Sequence, residues 1–319
     1  MAYKISIVDD MYLDTEQRGR LESMGDVSIY EGVPSSSGQA IERIGNADIA
    51  ILGWTNVTEN MLNQMPNLKL ISVWATGYDY VDVKAATQRR ILITNVPGYA
   101  AQSVAEHAFA LILALVRNLV KADTHVRSGK YSWQDFRGIE LKGKTLGVIG
   151  TGAIGGQVVH LGKCFGMRVI AFTAHPSLER AEKLGVEYVE LDDLLRQSDF
   201  LSLHLPLTPG TSRMLSSREF LLMKPSAFLI NTARAGIVDQ DALYQALTSG
   251  HIAGAGLDDI ANPGDRQNPL LGLDNIILTP HMGFHTTEAL KRKTDICLAN
   301  VQAFINGHPQ NVVNPEALS

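Results

Sequence analysis

The sequence predicts an α/β protein built from two doubly wound domains, and three observations lead there. Short β-branched runs alternate with longer stretches of helical period from end to end, the pattern of parallel sheets covered by helices on both faces. The chain has 319 residues, too many for one ordinary core and suited to two domains of common size. Its strand-like runs also fall into two sets, as two sheets require. A cleft between two such domains is the expected place for a ligand.

The first set comprises Lys4–Val8, Asp48–Trp54, Leu68–Trp74 and Ile91–Asn95. Ala101–Val120 follows, with an apolar face of Val104, Ala108, Leu111, Ala114 and Leu115, long enough for a helix that passes between domains. The second set is Thr145–Ile149, Met167–Thr173, Phe200–Leu205, Ala227–Asn231, Ala253–Leu257 and Asn275–Leu278. Thr286–Ile305 offers a last long helix, which Asn306-Gly307 stops. A chain that finishes on such a helix is expected to return to its first domain. The expected division is 1–100 with 285–319, discontinuous, and 101–284.

Composition narrows the function. A hydrophobic content of 45% with 19% charged residues is ordinary for a globular protein, and a net charge of −5 gives no reason to expect nucleic acid or an anionic membrane. Cys164 and Cys297 lie far apart with no CxxC or Cys/His cluster, which suits a reducing cytosol and speaks against a zinc site. Both are expected to be buried fillers. No apolar run reaches the roughly 18 residues of a membrane span, and the opening MAYKISIVDD leads into a strand, so a cytoplasmic protein is expected.

Thr145–Ile149 runs directly into Gly150-Thr151-Gly152-Ala153-Ile154-Gly155, with helical period after it. A lone GxGxxG is weak, but strand before and helix after are the context in which it binds a dinucleotide. Gly150 makes the turn, Gly152 admits the pyrophosphate, and Gly155 lets helix pack on strand. The next strand usually ends in an acid that accepts from the adenosine ribose. Here it ends in Thr173-Ala174-His175-Pro176. With no carboxylate to repel a 2′-phosphate, and with His175, Ser177 and Arg180 as donors, NADP is as well suited as NAD.

Three later segments place polar groups where apolar strands end: Leu229–Asp239 (LINTARAGIVD), Gly254–Asp258 (GAGLD) and Leu278–Gly283 (LTPHMG). Together with Val73–Asp82, Ser103–His107 and His204–Thr208, they resemble the D-isomer-specific 2-hydroxyacid dehydrogenase family, in the family's order and over nearly the whole chain. The glycerate dehydrogenase and hydroxypyruvate (glyoxylate) reductase members are the most similar. The resemblance implies a Rossmann domain inserted in a flavodoxin-like substrate domain, an NAD(P)-dependent oxidoreductase of a small 2-keto or 2-hydroxy acid, and a homodimer.

Chemistry explains the residue types. An Arg fork holds a carboxylate and its neighbouring carbonyl together where Lys acts only as a point charge, and Arg234 stands at the family's Arg position. The alkoxide formed by hydride transfer needs a proton, which His gives or takes near neutrality; His281, in Thr279-Pro280-His281, is the expected acid/base. Of the other histidines, His107, His125, His285 and His308 are read as structural. The resemblance further implies that the backbone around Thr76-Gly77 binds the substrate carboxylate. It assigns pyrophosphate contacts to Ala153 and Ile154, adenine-side contacts to His204, Leu205 and Pro206, and nicotinamide-side contacts to Thr232, Ala233 and Asp258.

One departure stands out. The family's Glu, which partners the catalytic His, aligns with Pro263 in Asp258-Asp259-Ile260-Ala261-Asn262-Pro263-Gly264-Asp265. Asp265 is the favoured substitute and Asp259 the other. A phosphoglycerate dehydrogenase-like enzyme, or a catalytically weak dinucleotide-sensing protein of the same fold, are the competing readings. The first lacks visible basic residues for a phosphate, and with the chain stopping at Ser319 no C-terminal regulatory domain is expected.

Overall fold

A computed structural model describes residues 2–262 and 264–318, so Pro263 lies outside the described residues. The chain forms two compact units, one of residues 1–99 with 286–319 and one of 100–285.

The first unit is built on β1 (Tyr3–Ile7), β2 (Gly25–Ile29), β3 (Ile49–Leu52), β4 (Leu70–Val73) and β5 (Leu92–Thr94). All pair in parallel in the order β2-β1-β3-β4-β5. The chain reverses direction across the sheet between β1 and β3, the switch point at which open sheets of this order bind ligands. β3 and β4 read IAIL and LISV and are buried at every position, as strands covered on both faces must be. The sequence reading missed β2. Its GDVSI is an edge strand with no fully buried residue, so it carries little apolar signal. The helix Thr287–Ile305, capped by the Thr286 hydroxyl, buries Ala289, Lys293, Thr294, Cys297, Leu298, Asn300 and Val301. Beyond it, Asn314 ties the tail to β5, accepting from Ile93 N at 2.7 Å and donating to Ile91 O at 2.9 Å.

The second unit holds β6 (Thr145–Ile149), β7 (Arg168–Phe172), β8 (Glu187–Tyr188), β9 (Phe200–Leu203), β10 (Phe228–Asn231), β11 (Gly254–Leu257) and β12 (Ile276–Leu278). They form one parallel sheet in the order β12-β11-β10-β9-β6-β7-β8. The switch point falls between β6 and β9. The doubly wound α/β class expected from the sequence is thus present in both sheets. β8, a two-residue edge strand, was not anticipated, because so short a run has no period to read.

The helix expected over Ala101–Val120 ends at Val116. Asn118 adopts φ +51°, and a second helix, Leu119–Arg127, starts in a new direction. Asn tolerates the left-handed conformation better than most residues, which makes it a ready break point. Among the described residues no single helix is long and apolar enough to cross a membrane. The two helices just named meet that test only together and are bent by 59°. Cys297 is buried as expected; Cys164, at the exposed end of the helix Ala153–Cys164, is not.

Candidate active site

Because every strand of the second sheet runs the same way, all their carboxyl ends lie along one edge. Gly150–Gly152 follow β6, Thr173 follows β7, and His204 to Pro206 follow β9. Thr232 to Arg234 follow β10, Asp258 and Asp259 follow β11, and Thr279 to His281 follow β12. Topology alone therefore gathers residues separated by up to 131 positions in the chain, from Gly150 to His281.

The glycines after β6 have distinct duties. Gly150 sits at φ +91°, and a Cβ there would lie 2.4 Å from the His204 carbonyl oxygen. At Gly155 a Cβ would lie 1.9 Å from the Gly150 oxygen, so helix and turn touch with no room for a side chain. Gly152 is the opposite case: a Cβ there meets nothing within 4 Å. Its missing side chain leaves open space at the head of the helix Ala153–Cys164, whose first amides have no side-chain cap. Such a helix start suits a diphosphate. Thr151 is buried and its hydroxyl pairs with the Tyr188 hydroxyl at 2.7 Å, anchoring the turn to β8.

The other expected contacts are more varied. His175 is exposed, and its amide donates to Thr173 Oγ1 at 3.4 Å. His204 pairs with Ser202 Oγ at 2.8 Å, and burial pushes its imidazole down to about 3, so it is neutral at physiological pH. The residue still keeps some accessible surface, as do Leu205 and Pro206. Thr232 Oγ1 is buried with no hydrogen-bond partner among the described residues. An orphaned buried hydroxyl is costly and marks a place where a ligand would complete the set. The open cradle at Gly152 and this hydroxyl both fit a dinucleotide.

Asn231 and Asp259 shape the loop that carries Arg234. Asn231, 1% exposed at the end of β10, accepts from Ala233 N at 3.0 Å and donates to Arg234 O at 2.9 Å. That double link fixes the backbone from which the Arg234 side chain projects. Asp259 Oδ2 accepts from Ala235 N at 2.8 Å, and its Oδ1 stands 3.5 Å from His281 Nδ1. Burial opposes ionisation of Asp259, but His281, the Ala235 amide and the charge of Arg234 outweigh it and hold the carboxyl below its ordinary range.

His281 is itself in an unusual conformation. Its φ is +53°, a left-handed backbone rare for a bulky residue, held by its amide donating to Asp258 O at 2.7 Å. Asp258, 4% exposed, clamps the same turn: Thr279 Oγ1, Met282 N and His107 converge on Oδ1, and Gly283 N donates to Oδ2 at 2.8 Å. Burial opposes its charge, yet donors from His107, Thr279, Gly283 and Met282 bring it down to about 2. His107 is thus a structural histidine.

Asp258 was expected as an acceptor for the nicotinamide amide. Only Oδ2 has acceptor capacity to spare, so its first duty is to hold the turn. The preference for Asp265 over Asp259 is also corrected. Asp265 is exposed, and its carboxylate accepts from Gln267 N in its own loop at 2.9 Å. The carboxylate beside His281 is Asp259, because it follows β11 directly and a rigid strand end delivers it.

The sequence of residues 109–283 matches the model of the D-isomer specific 2-hydroxyacid dehydrogenase, NAD binding domain. The chain belongs to that family. It is 41% identical over 291 residues to a glyoxylate reductase of Thermococcus litoralis, covering 88% of each chain. It is 36% identical to a hydroxypyruvate reductase of Blautia hydrogenotrophica, covering 98% of this chain and 99% of that one. Among solved structures, the acyclic imino acid reductase Bsp5 in complex with NADPH and D-Arg superposes with a TM-score of 0.90 at 34% identity, covering 97% and 99% of the two chains.

As a member of this family the protein is an NAD(P)-dependent oxidoreductase. Within the first unit, the loop after β4 carries Thr76 and Gly77. Thr76, exposed there, donates its hydroxyl to Val96 O at 2.6 Å, and its carbonyl accepts from Asn95 Nδ2 at 2.8 Å. These two hydrogen bonds tie the loop to the segment after β5. Asn231 was the residue that sequence reading overlooked; the only available signal was a polar side chain ending an otherwise apolar strand.

Proposed function

We propose that this dehydrogenase reduces a small 2-keto acid, glyoxylate or hydroxypyruvate, to the D-2-hydroxy acid, and catalyses the reverse oxidation. The observation that supports the reading is Asp259, which accepts from the Ala235 amide next to Arg234 and stands 3.5 Å from His281 Nδ1, at the same carboxyl-end edge of the sheet as the open glycine turn. The relatives named for glyoxylate and hydroxypyruvate reduction support the substrate class.

Gly150–Gly155 would hold NADH or NADPH, which when bound would supply the hydride. Arg234 presents its fork to the substrate carboxylate and carbonyl oxygen, orienting the carbonyl and polarising it. His281, as imidazolium, gives its Nε2 proton to the carbonyl oxygen as the carbon is reduced; in oxidation the neutral ring takes that proton back. Asp259 acts as a positioning residue that orients the imidazole through Nδ1 and favours its charged form. Thr76-Gly77 bind the carboxylate through backbone amides. His204, Leu205 and Pro206 would line the adenine side and Thr232 and Ala233 the nicotinamide side of the bound cofactor, with Asp258 Oδ2 able to accept from the carboxamide.

The chain is further proposed to act in the cytoplasm as a homodimer, without nucleic acid or membrane partners. Residues 119–139 support the dimer. Tyr131 is 95% and Trp133 79% exposed, with Leu119, Val120 and Val126 exposed nearby. Val120, with Phe136 and Ile139 of the same segment, lines a cavity of about 990 Å³ at the amino-terminal ends of β10 to β12, the sheet edge opposite the proposed catalytic one. Exposed apolar surface of this kind marks an interface. Light scattering after gel filtration should give twice the chain mass, and a monomer would refute pairing.

A spectrophotometric panel tests the activity. NADH and NADPH would be offered with glyoxylate, hydroxypyruvate, pyruvate and bulkier keto acids, each with and without ammonium. The small keto acids alone should be reduced fastest. Dinucleotide binding without turnover of any would replace this reading with the sensing one.

A further inference from the structure

A chain of asparagine side chains runs through the first unit to the loop after β4. Asn300, on the helix Thr287–Ile305, is 0% exposed. Its Nδ2 donates to Asn95 O at 2.8 Å, and its Oδ1 accepts from Asn311 Nδ2 at 2.7 Å. A primary amide carries donor and acceptor together, so this one side chain joins the segment after β5 to the tail after the helix. Asn311 adopts φ +53°, which Asn tolerates better than most residues, and its carbonyl accepts from Asn95 N at 3.2 Å. Asn95, held in this way, donates from its own Nδ2 to Thr76 O at 2.8 Å.

That last bond orients a peptide group. The Thr76 carbonyl and the Gly77 N–H belong to one planar trans unit and point in opposite directions, so a carbonyl drawn toward Asn95 turns the Gly77 N–H away from it. The preceding unit is held alike: Val96 N donates to Ala75 O at 2.9 Å, which turns the Thr76 N–H away from the segment after β5. Thr76 Oγ1, donating to Val96 O at 2.6 Å, braces the same corner. Among the described residues the amides of Thr76 and Gly77 donate to no protein acceptor. Two successive free N–H groups with their carbonyls tied behind them form an anion-binding concavity.

We infer that Asn95 and Asn300 are positioning residues for substrate binding: Asn95 fixes the peptide plane that presents the Gly77 N–H, and Asn300, with Asn311, fixes Asn95. The inference rests on the keto-acid reading for the carboxylate that these amides take up. Without the Asn95 donor the Thr76–Gly77 peptide is free to rotate as a unit and turn its carbonyl oxygen where the N–H belongs, which replaces attraction of an anion by repulsion. A carboxylate is held alike in the substrate and in the transition state, so the loss falls on KM and leaves kcat in place.

The test compares wild type with Asn95→Ala, Asn300→Ala and the double variant. Each is titrated calorimetrically, loaded with NADH, with oxalate, an inert dicarboxylate that mimics the carboxylate and carbonyl of a keto acid, and each is assayed for keto-acid reduction. Either single variant should bind oxalate more weakly and raise KM by about three- to tenfold, the size of one ordinary hydrogen bond, with kcat and NADH affinity within twofold of wild type. The double variant should lose less than the product of the two single effects, because both cut one chain. Oxalate binding within twofold of wild type, a kcat that falls as far as KM rises, or single effects that simply multiply overturns the inference. If Asn300→Ala does not fold by circular dichroism, Asn311→Gly takes its place, since it removes the partner of Asn300 at a position whose φ suits glycine. Wild type that neither binds oxalate nor reduces a keto acid overturns both this inference and the keto-acid reading; wild type that does both, with variants that match it, overturns this inference alone.

Discussion

Asp259 links the strand end that carries Arg234 to His281: one carboxylate oxygen accepts from the Ala235 amide, next to Arg234, at 2.8 Å, and the other faces His281 Nδ1 at 3.5 Å. If this carboxylate stabilises the imidazolium, Asp259→Asn should move the reduction profile to lower pH, since a nearby negative charge is lost. Reduction needs the charged ring, so its loss with rising pH should begin earlier in the variant. Asp265→Asn should leave the pH–rate profile where it was. Profiles of kcat/KM for both variants decide the matter, and an unmoved profile for Asp259→Asn would remove the partner.

Arg234→Lys should reduce kcat/KM by about 2 kcal/mol or more, the scale of a lost charge-assisted hydrogen bond. His281→Ala should abolish most turnover. Both variants should bind NADH as tightly as wild type when followed by nucleotide fluorescence. Near-normal turnover by either would exclude that residue from the chemistry.

Gly152 provides a test of the dinucleotide site that does not rely on turnover. A Cβ there meets nothing within 4 Å, and its φ of −68° suits any residue, so Gly152→Ala should keep its melting temperature. The methyl group would occupy the space left for the diphosphate, and NADH affinity should fall at least about tenfold, as the role of this glycine demands. Unchanged affinity would show that the diphosphate lies elsewhere.

The corner after β7 bears on cofactor choice. Thr173 and exposed His175 present no carboxylate to a 2′-phosphate, so NADPH should be accepted. Thr173→Asp should shift kcat/KM toward NADH through charge repulsion. A strong preference of wild type for NADH would show instead that the Thr173 hydroxyl serves the ribose.

Asp258 ties stability to pH. Its carboxyl is held at about 2 against an ordinary 3.8, so its contribution is full above the ordinary value and disappears as pH falls towards 2. A shift of that size corresponds to about 2 kcal/mol. Urea unfolding should find Asp258→Asn less stable than wild type at pH 6, with the gap narrowing between pH 4 and pH 2. A gap that does not change with pH would mean that the charge of Asp258 is not what holds the turn.

The sequence by itself determined the class of fold and the candidate chemistry. Buried strands such as IAIL and LISV, the glycine turn after β6, and the NTARAG and TPH segments carry their information locally, in periodicity and in residues whose special backbone or side chain has few substitutes. Edge strands β2 and β8 were not legible, because half-exposed or two-residue strands acquire their identity from a neighbour's hydrogen bonds. The tertiary structure alone decided between Asp259 and Asp265. Their sequence separation from His281 differs little, and only the parallel register of β11 with β12 delivers Asp259 to the imidazole while leaving Asp265 in a solvated loop. The same holds for Lys293, which the helix Thr287–Ile305 carries to the rings of Trp54, Trp74 and Tyr99 from a distant part of the chain. Local pattern records what a residue is able to do, and which partner it meets is set by strand order and register.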